Sequence, residues 1–266
     1  EALSADRPDG CWCLGLGGYG HLKFGAFKAC SCSDGTAFHA AAKEERWAEL
    51  RRQRREGIER QWQAAGIPAR FREWRLNTSP LVATMPELVN RIKPPECPED
   101  DDLFLAWEAD KLKPWERGFF LWGPYGSGKT GLAVGYAYER LIGADDGLTV
   151  LFTTAPKLFT ELRSTYNRRG EDAGPTEKDV IDKYAKCGLL ILDDIGAEAI
   201  GKADWLQDRL FQIVGDRHDE ELPTVFTSNR DLAGLYERIG ERVCWRILEA
   251  CGKDNIVHVA GPNLRE

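Results

Sequence analysis

The sequence predicts an α/β fold: a mostly parallel sheet with helices on both faces, preceded by a small cysteine-bearing module and a polar helix. Three observations lead there. From residue 118 onward, short apolar runs alternate with stretches of helical periodicity, the pattern of repeated strand–helix units. The runs are continuous rather than alternating, as in GLLILDD at 188–194, which is how strands buried on both faces read. A glycine-rich loop also stands where the first run meets the first helix: Gly123-Pro124-Tyr125-Gly126-Ser127-Gly128-Lys129-Thr130.

Taken in order, residues 1–40 are rich in Gly and Cys with few helix signals. Residues 41–66 are a polar, arginine-rich stretch with Trp47, Leu50, Ile58 and Trp62 at roughly helical spacing, a narrow apolar stripe on a very polar helix. Gly57 weakens that helix, and Gly66 and Pro68 end it. The basic residues from Lys43 to Arg75 give way to an acidic run, Glu96 to Asp110, with Pro94, Pro95 and Pro98 at the changeover; a loop entering a helix at about 100–112 is expected. Then GFFLWG (118–123) is a strand followed by a helix at 129–142, and LTVLFT (148–153) a strand followed by a helix at 155–168. A loop with Gly170, Gly174 and Pro175 leads to a helix at 176–186. The strand at 188–194 and a helix at 203–218 precede the strand PTVFTS (223–228). Helices at 231–238 and 240–251 precede a last strand, NIVHVA (255–260). The core is expected to run from 67 to 266.

At 266 residues, 42% of them hydrophobic and 30% charged, the chain has room for one large domain or a domain with an appendage. Collagen-like, low-complexity and wholly disordered classes are excluded. No apolar run reaches the roughly 18 residues of a membrane span. The chain starts at Glu1 without Met or a basic-then-apolar leader; the start is read as a trimmed or processed end, and a cytoplasmic protein is expected. The net charge of −7 leaves any nucleic-acid contact to a local patch.

The loop at 123–130 fits G-x-x-x-x-G-K-[ST] between a strand and a helix. Its glycines let successive N–H groups turn toward phosphate oxygens, and the helix adds its positive end. Lys129 reaches the β- and γ-phosphates of ATP, Thr130 offers a hydroxyl to Mg²⁺, and Gly131 completes the expected nucleotide-binding run. Leu189-Leu190-Ile191-Leu192 ends on Asp193 and Asp194. A strand buried on both faces finishes on paired acids when its carboxyl end meets a ligand: Asp193 for Mg²⁺, Asp194 to orient the attacking water. Asn229, closing Thr227-Ser228-Asn229, is placed to position that water or the γ-phosphate. The bland alternatives are an acidic helix cap at 193–194 and a turn residue at 229.

These motifs resemble the AAA+ ATPases of the DnaC/DnaI helicase-loader and IstB transposition-helper group. The resemblance is carried by Gly66-Ile67-Pro68-Ala69-Arg70-Phe71, the phosphate loop, 190–198 (LILDDIGAE), 223–229 (PTVFTSN), Gly240-Glu241-Arg242-Val243 with Arg246, and Gly261-Pro262-Asn263-Leu264-Arg265. It covers about three quarters of the chain and implies a P-loop AAA+ fold. By resemblance, Asn229 is the first sensor, Arg246 the arginine finger that reaches a neighbouring subunit's γ-phosphate, and Arg265 the second sensor. Arg242 rivals Arg246, which an ordinary surface salt bridge would also explain. A finger supplied in trans implies an oligomer, a ring or spiral. Asp194 departs from the Glu usual in AAA+ proteins, though aspartate is frequent in this group; its shorter arm predicts slow hydrolysis.

The helix at 155–168 presents Lys157, Arg163, Tyr166 and Arg168, an aromatic among cations that suits a single strand of DNA or is simply a solvated basic face. Tyr166 matches an aromatic in the family's DNA-lining insert, and Lys202 is a weaker DNA candidate. Cys11-Trp12-Cys13 and Cys30-Ser31-Cys32 each present two sulfurs to one side of an extended chain. Four thiolates, with His21 or His39 as substitutes, make a structural Zn²⁺ site; an iron–sulfur cluster and free or oxidised thiols stay open. The glycine-rich sequence between the pairs fits a β-hairpin. Loaders of the DnaI kind carry a zinc-bearing module here that contacts the helicase. Cys97, Cys187, Cys244 and Cys251 read as buried small hydrophobes.

The resemblance therefore implies an ATP-dependent loader of a replicative helicase onto single-stranded DNA. One alternative is an IstB-like helper that binds duplex DNA and recruits a transposase. Another is a nucleotide-gated adaptor with little turnover.

Overall fold

The computed structural model describes residues 18–21, 26–29, 56–92, 117–143, 148–166, 174–197, 204–261 and 263–264. The expected helix at 100–112 and the front of the arginine-rich helix lie outside these residues. The chain divides into two units, Glu1–Gly57 and Ile58–Glu266. In the first, β1 (Gly18–His21) and β2 (Ala26–Ala29) pair antiparallel, with Gly18 opposite Ala29 and His21 opposite Ala26. This is the hairpin expected between the two C-x-C pairs.

In the second unit lie the end of helix α1 (56–64) and two short helices, α2 (Leu81–Thr84) and α3 (Pro86–Ile92). The α/β alternation then begins. Strand β3 (Gly118–Trp122) leads to α4 (Lys129–Gly143), β4 (Val150–Thr154) to α5 (Ala155–Tyr166) and α6 (Glu177–Ala185), and β5 (Leu189–Asp193) to α7 (Asp204–Asp219). Strand β6 (Thr224–Ser228) leads to α8 (Leu232–Ile239) and α9 (Glu241–Cys251), and β7 (Ile256–His258) closes the series.

Among the described residues these five strands make one sheet in the order β4-β5-β6-β3-β7, every pair parallel. From β3 the chain crosses over the places of β5 and β6 to β4 at the edge, steps back through β5 to β6 beside β3, and then passes β3 to β7 on its other side. This is the predicted parallel α/β sheet, with the fold of a P-loop AAA+ core. Side chains alternate between faces along each strand. Phe119, Leu121, Leu189, Ile191 and Val225 meet α4 and the segment before β3, including Trp62, Ile67, Leu76 and Leu81. Phe120, Leu190, Leu192 and Phe226 meet residues of α5 to α9. Continuous apolar strands are the sequence imprint of this double cover.

Local chemistry explains the helix boundaries. Thr176 and Asp179 form a reciprocal capping box at the start of α6: Thr176 Oγ1 accepts from the Asp179 N–H at 3.2 Å, and Asp179 Oδ2 from the Thr176 N–H at 2.8 Å. Asp231 caps α8 through the Gly234 N–H at 2.8 Å. Gly240, at φ 85°, separates α8 from α9.

Two features were not foreseen. Residues 67–92 carried no expected element, because Pro68, Pro80 and Pro86 break the periodicity; they nonetheless bury Ile67, Leu76 and Leu81 in the core. Arg217, on α7, is 1% exposed. Its guanidinium donates to the carbonyls of Tyr184 (2.9 Å), Ala185 (3.2 Å), Cys187 (2.6 Å) and Pro223 (2.7 Å), and to Thr224 Oγ1 (2.8 Å). It ties the carboxyl end of α6, whose dipole favours a cation, to the starts of β5 and β6. Cys187, Cys244 and Cys251 are free and buried, as expected of packing residues, and burial pushes the Cys244 thiol up to about 12.

Candidate nucleotide site

The site forms where the carboxyl ends of β3, β6 and β5 lie side by side, the edge at which such sheets present their loops to ligands. Beyond β3, residues 123–128 curl into the start of α4. Gly126 has φ 79° and Gly128 φ 90°, left-handed values that any side chain disfavours. A Cβ on Gly126 would collide with the Asn263 amide oxygen, and one on Gly128 would stand 2.8 Å from Leu81.

Lys129 is buried within this curl. Its Nζ donates to the carbonyls of Gly123 at 2.9 Å and Pro124 at 2.7 Å, and lies 3.4 Å from Ser127 Oγ. An ammonium held by neutral carbonyls can exchange them for phosphate oxygens, whose negative charge makes the stronger bond. Pro124 and Tyr125 are exposed at the lip, while Gly123 and Ser127 are buried beneath. Gly131 lies inside α4, pressed against the Trp74 indole.

Asp193 ends β5 and is 5% exposed. Its Oδ1 accepts from Thr130 Oγ1 at 2.8 Å and from Thr227 Oγ1 at 2.6 Å. Burial pushes the Asp193 carboxyl up, the Thr227 hydrogen bond opposes that, and the Asp194 charge adds to it. Asp194 is one of two non-glycine residues with positive φ among the described residues, at 55°; its N–H donates to Thr227 Oγ1 at 3.0 Å. Asn229 lies just past β6, half-buried. The structure thus gathers Lys129, Thr130, Asp193 and Asp194 at one edge of the sheet, with Asn229 at the end of the neighbouring strand. In the sequence Thr227 is one polar residue of a strand end, and nothing local marks it out.

The two candidate arginines pack elsewhere. Arg246 lies over Phe211 of α7 at 5.3 Å and donates to Glu249 at 3.0 Å. Arg242 lies over the same ring at 4.5 Å and 3.6 Å from Asp208. The Arg242 side chain is 73% exposed against 26% for Arg246, so Arg242 is the more accessible within one chain. Tyr166 ends α5, but its side chain, Lys202, Arg265 and the cysteines Cys11, Cys13, Cys30 and Cys32 lie outside the described residues.

A cavity of about 560 Å³ opens between residues 84–88 and β7. Its Met85 wall flanks Gly261, whose own neighbour is the Ser127 carbonyl. The Leu264 N–H donates to the Gly126 carbonyl at 2.9 Å, so the end of the chain also runs along the loop. Residues 84–88 with Ile256, Val257 and His258 line the cavity, and none of them belongs to the phosphate loop. Thr130 and Asp193 are two hard oxygen donors, as Mg²⁺ takes from a protein when phosphates complete its shell.

A sequence model of the family described as IstB-like ATP binding protein matches residues 116–259. The chain belongs to that family. It is accordingly an ATP-binding P-loop protein. No curated protein matches it. Among solved structures, DnaI is 26% identical with a TM-score of 0.53, covering 75% of this chain and 95% of its own. The DnaC helicase loader is 20% identical, TM-score 0.50, covering 73% of this chain and 100% of its own. The replication initiator DnaA bound to AMPPCP and single-stranded DNA is 18% identical, TM-score 0.51, covering 70% and 49%. The last two likenesses are of fold. Among the described residues no helix is long and apolar enough to cross a membrane, and no group of three or more His, Cys, Asp or Glu is placed to hold a metal.

Proposed function

We propose that this protein is an ATPase that loads a replicative DNA helicase onto single-stranded DNA, assembled as a ring or spiral of its own copies. The observation that carries the ATPase reading is the contact of Thr130 and Asp193 at 2.8 Å beside the buried Lys129. The loader reading draws its support from the likeness to DnaI across three quarters of the chain.

In this reading the N–H groups of the 123–131 run and Lys129 hold the β- and γ-phosphates. Thr130 and Asp193 would hold Mg²⁺, which when bound offsets the charge on the transferring phosphoryl group. Asp194 orients water for in-line attack and Asn229 fixes its position. Arg246 comes from a neighbouring copy, with Arg242 as the rival, and Arg265 closes the site from the chain's own end. Arg246 must leave the Phe211 ring and Glu249 to reach across, so its donation is coupled to assembly.

Residues 1–40, with Cys11, Cys13, Cys30 and Cys32 on Zn²⁺, and the arginine-rich helix at 41–66 grip the helicase; 67–266 form the ATPase core. Tyr166 and Lys202 face single-stranded DNA. A protein working on replicating DNA in this way is cytoplasmic.

A second reading has its own support, since the matching family is described as IstB-like: a helper that binds duplex DNA and recruits a transposase. The deciding experiment compares ATP-dependent binding to single-stranded and duplex DNA, with turnover measured in parallel. A single-strand preference, and turnover lost in Arg246→Ala while nucleotide binding persists, is the expected result. Duplex preference supports the helper, and binding without turnover supports a nucleotide-gated adaptor.

A further inference from the structure

Thr227 is fully buried and follows Phe226, which pairs with Leu192 across β5 and β6. It therefore stands one step further along, level with Asp193. A hydroxyl has a single proton. The 2.6 Å bond to Asp193 Oδ1 takes it, because a carboxylate can only accept. The Asp194 N–H, at 3.0 Å, takes a lone pair of the same oxygen. One atom thus holds the side chain of the first acid and the backbone of the second.

The backbone around it reinforces the arrangement. The Thr227 carbonyl accepts from the Ile195 N–H at 2.8 Å, and Ser228 Oγ donates to the Ile195 carbonyl at 2.8 Å. Asp194 is kept at φ 55°, a conformation that a side chain disfavours and that persists where neighbours enforce it. The other hydroxyl on Asp193, Thr130 Oγ1, sits on the phosphate loop and would share its oxygen with a cation. The bond from Thr227 comes from the sheet and reaches the same Oδ1.

We propose that Thr227 is a positioning residue of this site: its hydroxyl sets where the Asp193 and Asp194 carboxylates stand relative to one another. The inference rests on the reading of these two acids as the metal-side and water-side groups. Serine retains the hydroxyl. Valine retains the shape without it, and alanine removes both.

The test measures the affinity of a fluorescent ATP analogue in Mg²⁺ and in EDTA, with kcat at saturating ATP, for the full-length parent and for Thr227→Ser, Thr227→Val and Thr227→Ala. Melting temperature identifies variants that fold, and alanine stands in if valine does not. The parent gains affinity on adding Mg²⁺. Thr227→Ser is expected to keep that gain. Thr227→Val or Thr227→Ala loses about tenfold or more of it, the scale of one hydrogen bond to a charged group, with a parallel fall in kcat and an unchanged affinity in EDTA. Parental Mg²⁺ gain and kcat in folded Thr227→Val overturn the inference alone. So does equal damage in the serine variant, or a loss that appears equally in EDTA. A parent that gains nothing from Mg²⁺ overturns the underlying reading of the acid pair, and the inference with it.

Discussion

Replacing Arg217 by leucine tests how the sheet that carries the site is held. The guanidinium serves five oxygen acceptors at 3.2 Å or less. Three keep an alternative: the Tyr184 carbonyl accepts from Cys187 Sγ at 3.4 Å, the Pro223 carbonyl from the Leu190 N–H at 3.3 Å, and the Thr224 hydroxyl can turn. The Ala185 and Cys187 carbonyls lose their described donor in a region closed to water. At roughly 1–3 kcal/mol for each buried group left unsatisfied, Arg217→Leu should lose about 2–6 kcal/mol. A domain's whole stability is about 5–15 kcal/mol, so the variant should unfold at much lower urea. Urea denaturation followed by tryptophan fluorescence, with and without nucleotide, measures this. Burial lowers the Arg217 pKa from its ordinary value, and Cys187 partly opposes that. A guanidinium keeps its proton near neutral pH, so the loss should be equal at pH 6 and pH 8. A folded Arg217→Leu within about 1 kcal/mol of the parent would refute the reasoning, since reading a loss from folded-state contacts is typically in error by only a few tenths of a kcal/mol.

Three further outcomes are expected. Lys129→Ala should abolish binding of a fluorescent ATP analogue in a variant that still melts cooperatively, because the ammonium held by the Gly123 and Pro124 carbonyls is the cation offered to the phosphates; binding retained by the folded variant contradicts the site. Trp62→Ala should cost about 3–5 kcal/mol in urea, since Trp62 is 3% exposed, donates to the Arg72 carbonyl and meets the Tyr138 ring edge-on; a neutral effect would detach α1 from the core. Burial raises the Glu161 carboxyl, but the hydrogen bonds from Lys183 and Tyr184 and the nearby Lys charges outweigh it, leaving it below the ordinary 4.5. An acid depressed in the fold contributes stability above its unfolded value and loses it as pH falls through the folded one. Glu161→Gln should therefore melt below the parent at pH 7, with the difference fading as the pH falls through the depressed folded value, and a difference that persists in strong acid would place the cost elsewhere.

The elements legible from sequence were those whose cause is local. The phosphate loop is eight consecutive residues with a fixed chemistry. The double-covered strands are continuous apolar runs, and α6 begins at its own capping pair, Thr176 and Asp179. The paired acids stand out because a buried strand seldom ends on two carboxylates away from a ligand, with an acidic helix cap as the competing explanation. Residues 67–92 resisted the same reading. Their proline-broken pieces are too short to show a period, and only the face of α4 makes Leu76 and Leu81 core residues.

What the sequence by itself determined was the family, the alternation of strands and helices, and the candidate phosphate-binding run. These are set by neighbours along the chain. Only the tertiary structure decided that Thr227 meets Asp193, that Trp74 covers Gly131, and that Arg217 is a buried tie rather than a surface charge. It also separated the exposed Arg242 from the half-buried Arg246. Each of these depends on which strand lies beside which, and on what a side chain meets across the sheet. The order β4-β5-β6-β3-β7 places residues 34 positions apart within hydrogen-bonding distance, a juxtaposition that no pattern along the chain encodes.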